Sequence, residues 1–86
     1  MEYQSNTDLF EAIEDLQSSL SSTGIDGASE LLAEGMSSLN GLTDGWALLL
    51  KSVDSANEKY GETFSQKQSA ELHKIQSAVH KVVHRA

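Results

Sequence analysis

The sequence predicts an all-α protein that folds as a single domain over residues 1–86. The chain contains no proline and only five aromatic residues. Serine, leucine, alanine and glutamate are the most frequent residues, and the composition favours helices over sheets. Apolar residues also recur at helical spacing along most of the chain. Because 38% hydrophobic residues make a thin core in a chain of 86 residues, we expect self-association or a partner.

The first helix is predicted to run from about Asp8 to Ser21. One stripe of it carries four apolar residues at 4-3-4 spacing: Leu9, Ile13, Leu16 and Leu20. Glu11 follows Asp8 by three residues, as in a capping box. A kink or short loop is expected near 22–27, because each glycine there costs about 1 kcal/mol relative to alanine in a helix.

Two further helices are predicted on either side of a central turn. Leu32, Met36 and Leu39 restart the helical pattern, and Asn40-Gly41 supplies a stop. The next helix presents a broad apolar face that is made of Trp46, Leu49, Leu50, Val53, Ala56 and Tyr60. We therefore expect this helix to lie deep in the fold.

The last helix is predicted to begin after a break or bend near 61–65. Gln68 follows Ser65 by three residues, which matches the capping-box pattern. A continuous helix through this segment is the alternative. The helix then carries Leu72, Ile75, Val79 and Val82 at 3-4-3 spacing, which predicts one side of a coiled-coil-like seam.

These helices can be arranged in two ways. In the first, residues 8–40 and 44–85 form two antiparallel arms joined at 40–43, and this helical hairpin (helix-turn-helix) assembles as a dimeric four-helix bundle. In the second, the breaks near 22–27 and 61–65 act as turns, and four short helices fold onto one another within a single chain. Spacing alone leaves both arrangements open, and the first, the helical hairpin that dimerises, is the fold class that we expect.

Charge and composition exclude several classes of function. The formal net charge is −7, and the chain has no cysteine. Nucleic-acid affinity depends largely on Lys and Arg, so we expect no nucleic-acid partner, although residues 67–86 hold four basic residues against one acidic. Neither an apolar run of about eighteen residues nor the pattern of a signal peptide is present. We therefore expect a cytoplasmic protein without membrane insertion, with any export following a signal-peptide-independent route.

The residues around the central turn resemble a known family. The segment Leu31-Leu32-Ala33-Glu34-Gly35-Met36-Ser37-Ser38-Leu39-Asn40-Gly41-Leu42-Thr43-Asp44-Gly45-Trp46 is similar to the WXG family, the early-secreted-antigen-like substrates of type VII secretion. This resemblance implies a helix-turn-helix protein that forms homodimers or heterodimers with a similar partner. It also implies export without a cleaved signal peptide and no enzymatic activity.

The chain departs from the family pattern at two points. The family's glycine stands two residues after the tryptophan, where this chain has Leu48, and Gly45 precedes Trp46 instead. The family's C-terminal export signal is a tyrosine followed four residues later by an acidic residue, whereas Tyr60 is followed at that spacing by Phe64. Export would then require the signal of a partner.

Six apolar residues are predicted to bind a partner, either a second copy of the chain or a homologous helical protein: Leu32, Leu39, Trp46, Leu50, Val53 and Tyr60. Trp46 can anchor a partner surface, as aromatic residues often do. It can also be a core residue that closes the hairpin, an interpretation that Leu49 and Leu50 nearby favour.

Three histidines form a further candidate site. Steps of seven and four residues place His73, His80 and His84 on one face of the last helix. His80 and His84 have the i, i+4 spacing that lets two imidazoles share one zinc ion, and a dimer could supply the remaining ligands. The alternatives are a solvated flank, which the neighbouring lysines favour, and a pH sensor at a symmetric interface.

The predicted function is that of a non-enzymatic protein–protein interaction module. The sequence has neither a Gly-x-Ser-x-Gly turn nor a glycine-rich phosphate loop, so we expect no catalytic residue, cofactor or small-molecule substrate. The favoured hypothesis is a small secreted protein, resembling type VII secretion substrates, that dimerises through apolar helix seams. The alternatives are a small acidic secretion chaperone or filament component of another export system, and a metal- or pH-responsive helical regulator that uses the three histidines.

Overall fold

Four α-helices make up most of the chain that the structure describes. The computed structural model describes residues 6–39 and 45–85, with the side chains of 7–39 and 45–84. The helices are α1 (Asn6–Ser22), α2 (Asp26–Ser37), α3 (Gly45–Tyr60) and α4 (Gln66–Arg85), and a short 3-10 turn at Gly61–Thr63 follows α3. These two ranges contain no strand, and the all-α prediction is confirmed. The predicted turn at 40–43 lies outside the described residues.

Both predicted breaks in the helices are present, at 23–25 and at 61–65. The chain reverses at each, so that α1 packs on α2, α2 on α3, α3 on α4 and α4 on α1. A continuous helix over residues 8–40 would be about 50 Å long, whereas the longest dimension is 34 Å. The chain therefore forms the second of the two arrangements, four helices within one chain, in place of two extended arms.

The core consists of apolar residues from all four helices. Its fully buried members are Leu9, Ile13, Leu16, Leu20, Ala28, Leu32, Leu49, Val53, Ala56, Leu72, Ile75 and Val79. Apolar spacing thus located the buried face of α1 and, except for the half-buried Val82, that of α4. Among the described helices, none is long and apolar enough to cross a membrane.

A Schellman motif ends α1 and reverses the chain. The Ile25 N–H donates to the Leu20 carbonyl at 2.8 Å, and the Gly24 N–H donates to the Ser21 carbonyl at 3.1 Å. Gly24 has a φ of +83°, the left-handed conformation that glycine adopts most easily after a helix. Ile25 is half-buried against the core. This local geometry directs α2 back along α1.

We expect Gly24→Ala to lower the free energy of unfolding by about 1–2 kcal/mol, because a Cβ is strained at positive φ. Nothing lies within 4 Å of that Cβ position, so the loss reports on backbone conformation alone. Gly61→Ala is the matched control, because the new Cβ meets only the flexible Asn57 side chain. Urea denaturation followed by circular dichroism measures both variants, and equal losses would contradict this assignment.

One buried side chain ties the start of α4 to the end of α1. Gln68 is 4% exposed. Its Oε1 accepts from the Ser65 backbone N–H at 2.9 Å, and the Gln68 backbone N–H donates to Ser65 Oγ at 3.1 Å, which confirms the predicted capping box. Its Nε2 donates to Ser19 Oγ at 3.0 Å and to Thr23 Oγ1 at 3.1 Å. The same amide therefore caps α4 and fixes its register against α1.

We expect Gln68→Glu to keep the capping box and to lose the bond to the Ser19 carbonyl, because an ionised carboxylate has no proton to donate and a carbonyl can only accept. The Ser19 and Thr23 hydroxyls would have to reverse and become donors. The free energy of unfolding should fall by about 1–3 kcal/mol, since the buried carboxylate then faces a carbonyl oxygen that repels it. Gln66→Glu, at an exposed position of the same turn, should change it by less than about 0.5 kcal/mol. If thermal unfolding gives the two variants the same free energy of unfolding, the bonds from Gln68 to the end of α1 do not stabilise the bundle.

Small residues let α2 and α3 approach closely. A Cβ on Gly35 would lie 2.8 Å from Leu49 Cδ1 and 2.9 Å from Ser52 Cβ, so a larger residue there would push the helices apart. Near the start of α2, a Cβ on Gly27 would collide with the hydroxyl of Tyr60 at the end of α3. The two helices are therefore antiparallel.

Candidate functional site

Apolar side chains that the core covers only in part gather at one end of the bundle. Neighbouring helices are antiparallel, as the bond from Ser29 Oγ near the start of α2 to the Gln17 carbonyl near the end of α1 also indicates. The start of α1, the end of α2 and the start of α3 therefore meet. We call the half-buried residues there the apolar end: Phe10, Met36, Leu39, Trp46 and Leu50.

An aromatic pair lies at the centre of the apolar end. The rings of Phe10 and Trp46 stack with centroids 5.8 Å apart and an interplanar angle of 25°. They come from α1 and α3, which are diagonal in the bundle because each packs against α2 and α4. Gly45 is buried so close to the Ser38 carbonyl that a Cβ would collide with it. This contact holds the start of α3 against the end of α2 and so positions the indole of Trp46.

The six residues predicted to bind a partner do not form one surface. Leu32 and Val53 have no exposed area and belong to the core of the chain itself. Leu39, Trp46 and Leu50 lie together at the apolar end. Tyr60 is half-buried at the opposite end, where its hydroxyl approaches Gly27. Of the six predicted residues, only Leu39, Trp46 and Leu50 share a partly exposed surface.

Sequence reasoning missed Phe10 as a member of this site. Phe10 directly follows Leu9 and falls outside the 4-3-4 stripe of α1, so the periodicity assigned it to no face. A search for a broader apolar face, as is usual for helices that pack on two neighbours, would have included it. Its contact with Trp46 depends on the fold and leaves no signal in the sequence.

The structure divides the three histidines into a pair and a single residue. The rings of His80 and His84 lie with centroids 4.1 Å apart, tilted by 35°. His73 lies about two helical turns before His80, or roughly 10.5 Å along the helix axis, so it cannot share a bound ion with the pair. All three side chains are exposed. Nowhere in the described part of the chain do three His, Asp or Glu side chains come together as a metal-binding group.

A groove of about 360 Å³ lies between α1 and α4. Its lining comprises Ala12, Asp15, Leu16, Ser19, Lys67, Gln68 and Glu71. The charged residues in this lining are of both signs. The buried Gln68 amide already bonds Ser19 and Thr23.

No protein-family model, curated protein or solved structure matches this chain. The likeness to the WXG family therefore depends on residues 31–46 alone, of which 40–44 lie outside the described residues.

Proposed function

We propose that this chain is a non-enzymatic interaction module that binds a second copy of itself through the apolar end. The half-exposed stack of Phe10 and Trp46 carries the proposal. Aromatic residues are enriched among those that dominate binding energy, because they bury a large area at low cost in conformational freedom. Leu39 and Leu50, also half-buried, extend the apolar area that a partner would cover.

The distribution of charge supports a second copy as the partner. α1 and α2 contain no basic residue and seven acidic residues: Asp8, Glu11, Glu14, Asp15, Asp26, Glu30 and Glu34. α4 contains four basic residues against one acidic: Lys67, Lys74, Lys81 and Arg85 against Glu71. Within one chain α4 packs on α1, and in a dimer with twofold symmetry the exposed side of α4 can in addition face the acidic helices of the other copy. Complementary charge of this kind steers association and disfavours other partners.

The proposal extends to secretion through the resemblance of residues 31–46 to the WXG family. Trp46, the second residue of α3, stands at the start of a helix, which agrees with that resemblance, whereas the reversal at 23–25 departs from the helix-turn-helix that the resemblance implies. We place the chain among such substrates, synthesised in the cytoplasm and exported through the signal of a partner. The acidic surface of α1 and α2 also suits a secretion chaperone or filament component, and a stable complex with an unrelated exported protein would favour that alternative.

We expect Trp46→Ala to weaken the dimer at least about thirtyfold, because truncation of a central aromatic residue costs about 2 kcal/mol or more. The measurement is solution mass by size-exclusion chromatography with light scattering, over a range of protein concentrations. Circular dichroism establishes that the variant remains helical, since loss of the stack with Phe10 also costs about 0.5–1.5 kcal/mol of folding energy.

Leu48→Ala is the matched control for this experiment. Leu48 is also a half-exposed apolar residue of α3, but it lies about 200° around the helix from Trp46. Its replacement should change the dimer dissociation constant by less than about threefold, because residues outside the centre of an interface contribute little. A monomeric parent chain at every concentration, or equal effects of the two substitutions, would contradict the proposal.

A further inference from the structure

We propose that His80 and His84 form an exposed two-imidazole chelate on α4 for a divalent transition-metal ion such as Zn²⁺. The end of α4 reaches the same end of the bundle as the apolar end, but neither histidine belongs to the core or to the apolar end. A single chain presents both ligands, so the site does not depend on the dimer. Both histidines are exposed, whereas Ile75 and Val79 anchor the same helix in the core.

The geometry of the pair suits a single ion. The ring centroids are 4.1 Å apart. Two nitrogens that each lie about 2.0–2.1 Å from a tetrahedral ion are about 3.4 Å from each other. Imidazoles at i and i+4 of a helix can share one zinc ion, and rotation about the side-chain bonds of these two exposed residues can bring one nitrogen of each to that spacing within α4, which spans Gln66–Arg85. The helix therefore presents both ligands without reordering the backbone.

The ligand chemistry defines the class of ion. Neutral imidazole is a ligand for Zn²⁺, Cu²⁺ and Ni²⁺, whereas Mg²⁺ and Ca²⁺ require oxygen ligands. Two ligands leave the other coordination positions to water, so the site is open rather than a closed structural site. Lys74 and Lys81 on the same helix are exposed, and water and salt screen their repulsion of the ion.

His73 provides an internal control. It is a third exposed histidine on the same helix, and it lies roughly 10.5 Å from His80 along the axis. The residues one turn away from it on α4, at positions 69, 70, 76 and 77, are not histidine, aspartate or glutamate, so α4 offers it no chelating partner. A chelate makes the second bond intramolecular, which strengthens binding by a large factor over one ligand. We therefore expect the pair of His80 and His84 to bind Zn²⁺ more tightly than His73, because only the pair can form a chelate.

The experiment is isothermal titration calorimetry of the tag-free chain with zinc chloride in a non-chelating buffer. We expect one ion per chain for the parent and for His73→Ala, with affinities that agree. His80→Ala and His84→Ala should each weaken binding at least about tenfold, because either substitution removes the chelate. Equal weakening by all three substitutions, no detectable binding by the parent, or one ion shared between two chains would each overturn the proposal.

A second readout tests whether the ion binds the folded helix. Because the unfolded chain does not hold the two imidazoles together, Zn²⁺ should raise the melting temperature of the parent and of His73→Ala. It should not raise that of His84→Ala, and a rise of the same size in that variant would overturn the proposal. Trp46→Ala should keep the full affinity for Zn²⁺, which separates this test from that of the dimer.

Discussion

The buried amide of Gln68 is the contact on which closure of the bundle depends. Short segments join successive helices, but α1 and α4 meet without one, and Gln68 bonds Ser19 across 49 residues of sequence. Apolar seams pack with similar energy in neighbouring registers, whereas a buried amide must find its partners at one position. Leaving those polar atoms unpaired costs about 1–3 kcal/mol. Gln68 therefore sets the position of α4 along α1.

The apolar end follows from how the core is completed at the end of the bundle away from Gln68. There α2 contributes the buried Gly35, against which Leu49 and Ser52 of α3 pack so closely that a Cβ would collide with them. Phe10 and Trp46 pack against the core from its rim. The two rings are therefore half-buried, and part of their area remains open to a partner.

Local rules account for the features of this fold that the sequence predicted. The break at Gly24 and the capping box of Ser65 and Gln68 depend on neighbouring residues only, so both were readable from the chain. Periodicity identified which face of a helix is apolar but not what covers it, which is why Leu32 and Val53 were assigned to a partner surface. The bond from Gln68 to α1 and the stack of Phe10 on Trp46 join distant segments, and their partners are fixed only by the fold.

The reversal at the end of α1 decides whether the four-helix bundle forms within one chain or by exchange of helical arms between two chains. Exchange of arms between copies would re-form equivalent core contacts, which gives no gain in buried area. It would require residues 23–25 to become helical, with loss of the two Schellman bonds. Gly24 would then lie inside a helix, which costs about 1 kcal/mol relative to alanine. The proposed dimer at Phe10 and Trp46 would keep each core intact and would cover area that the single chain leaves exposed, and on this ground we propose association through the apolar end in place of exchange.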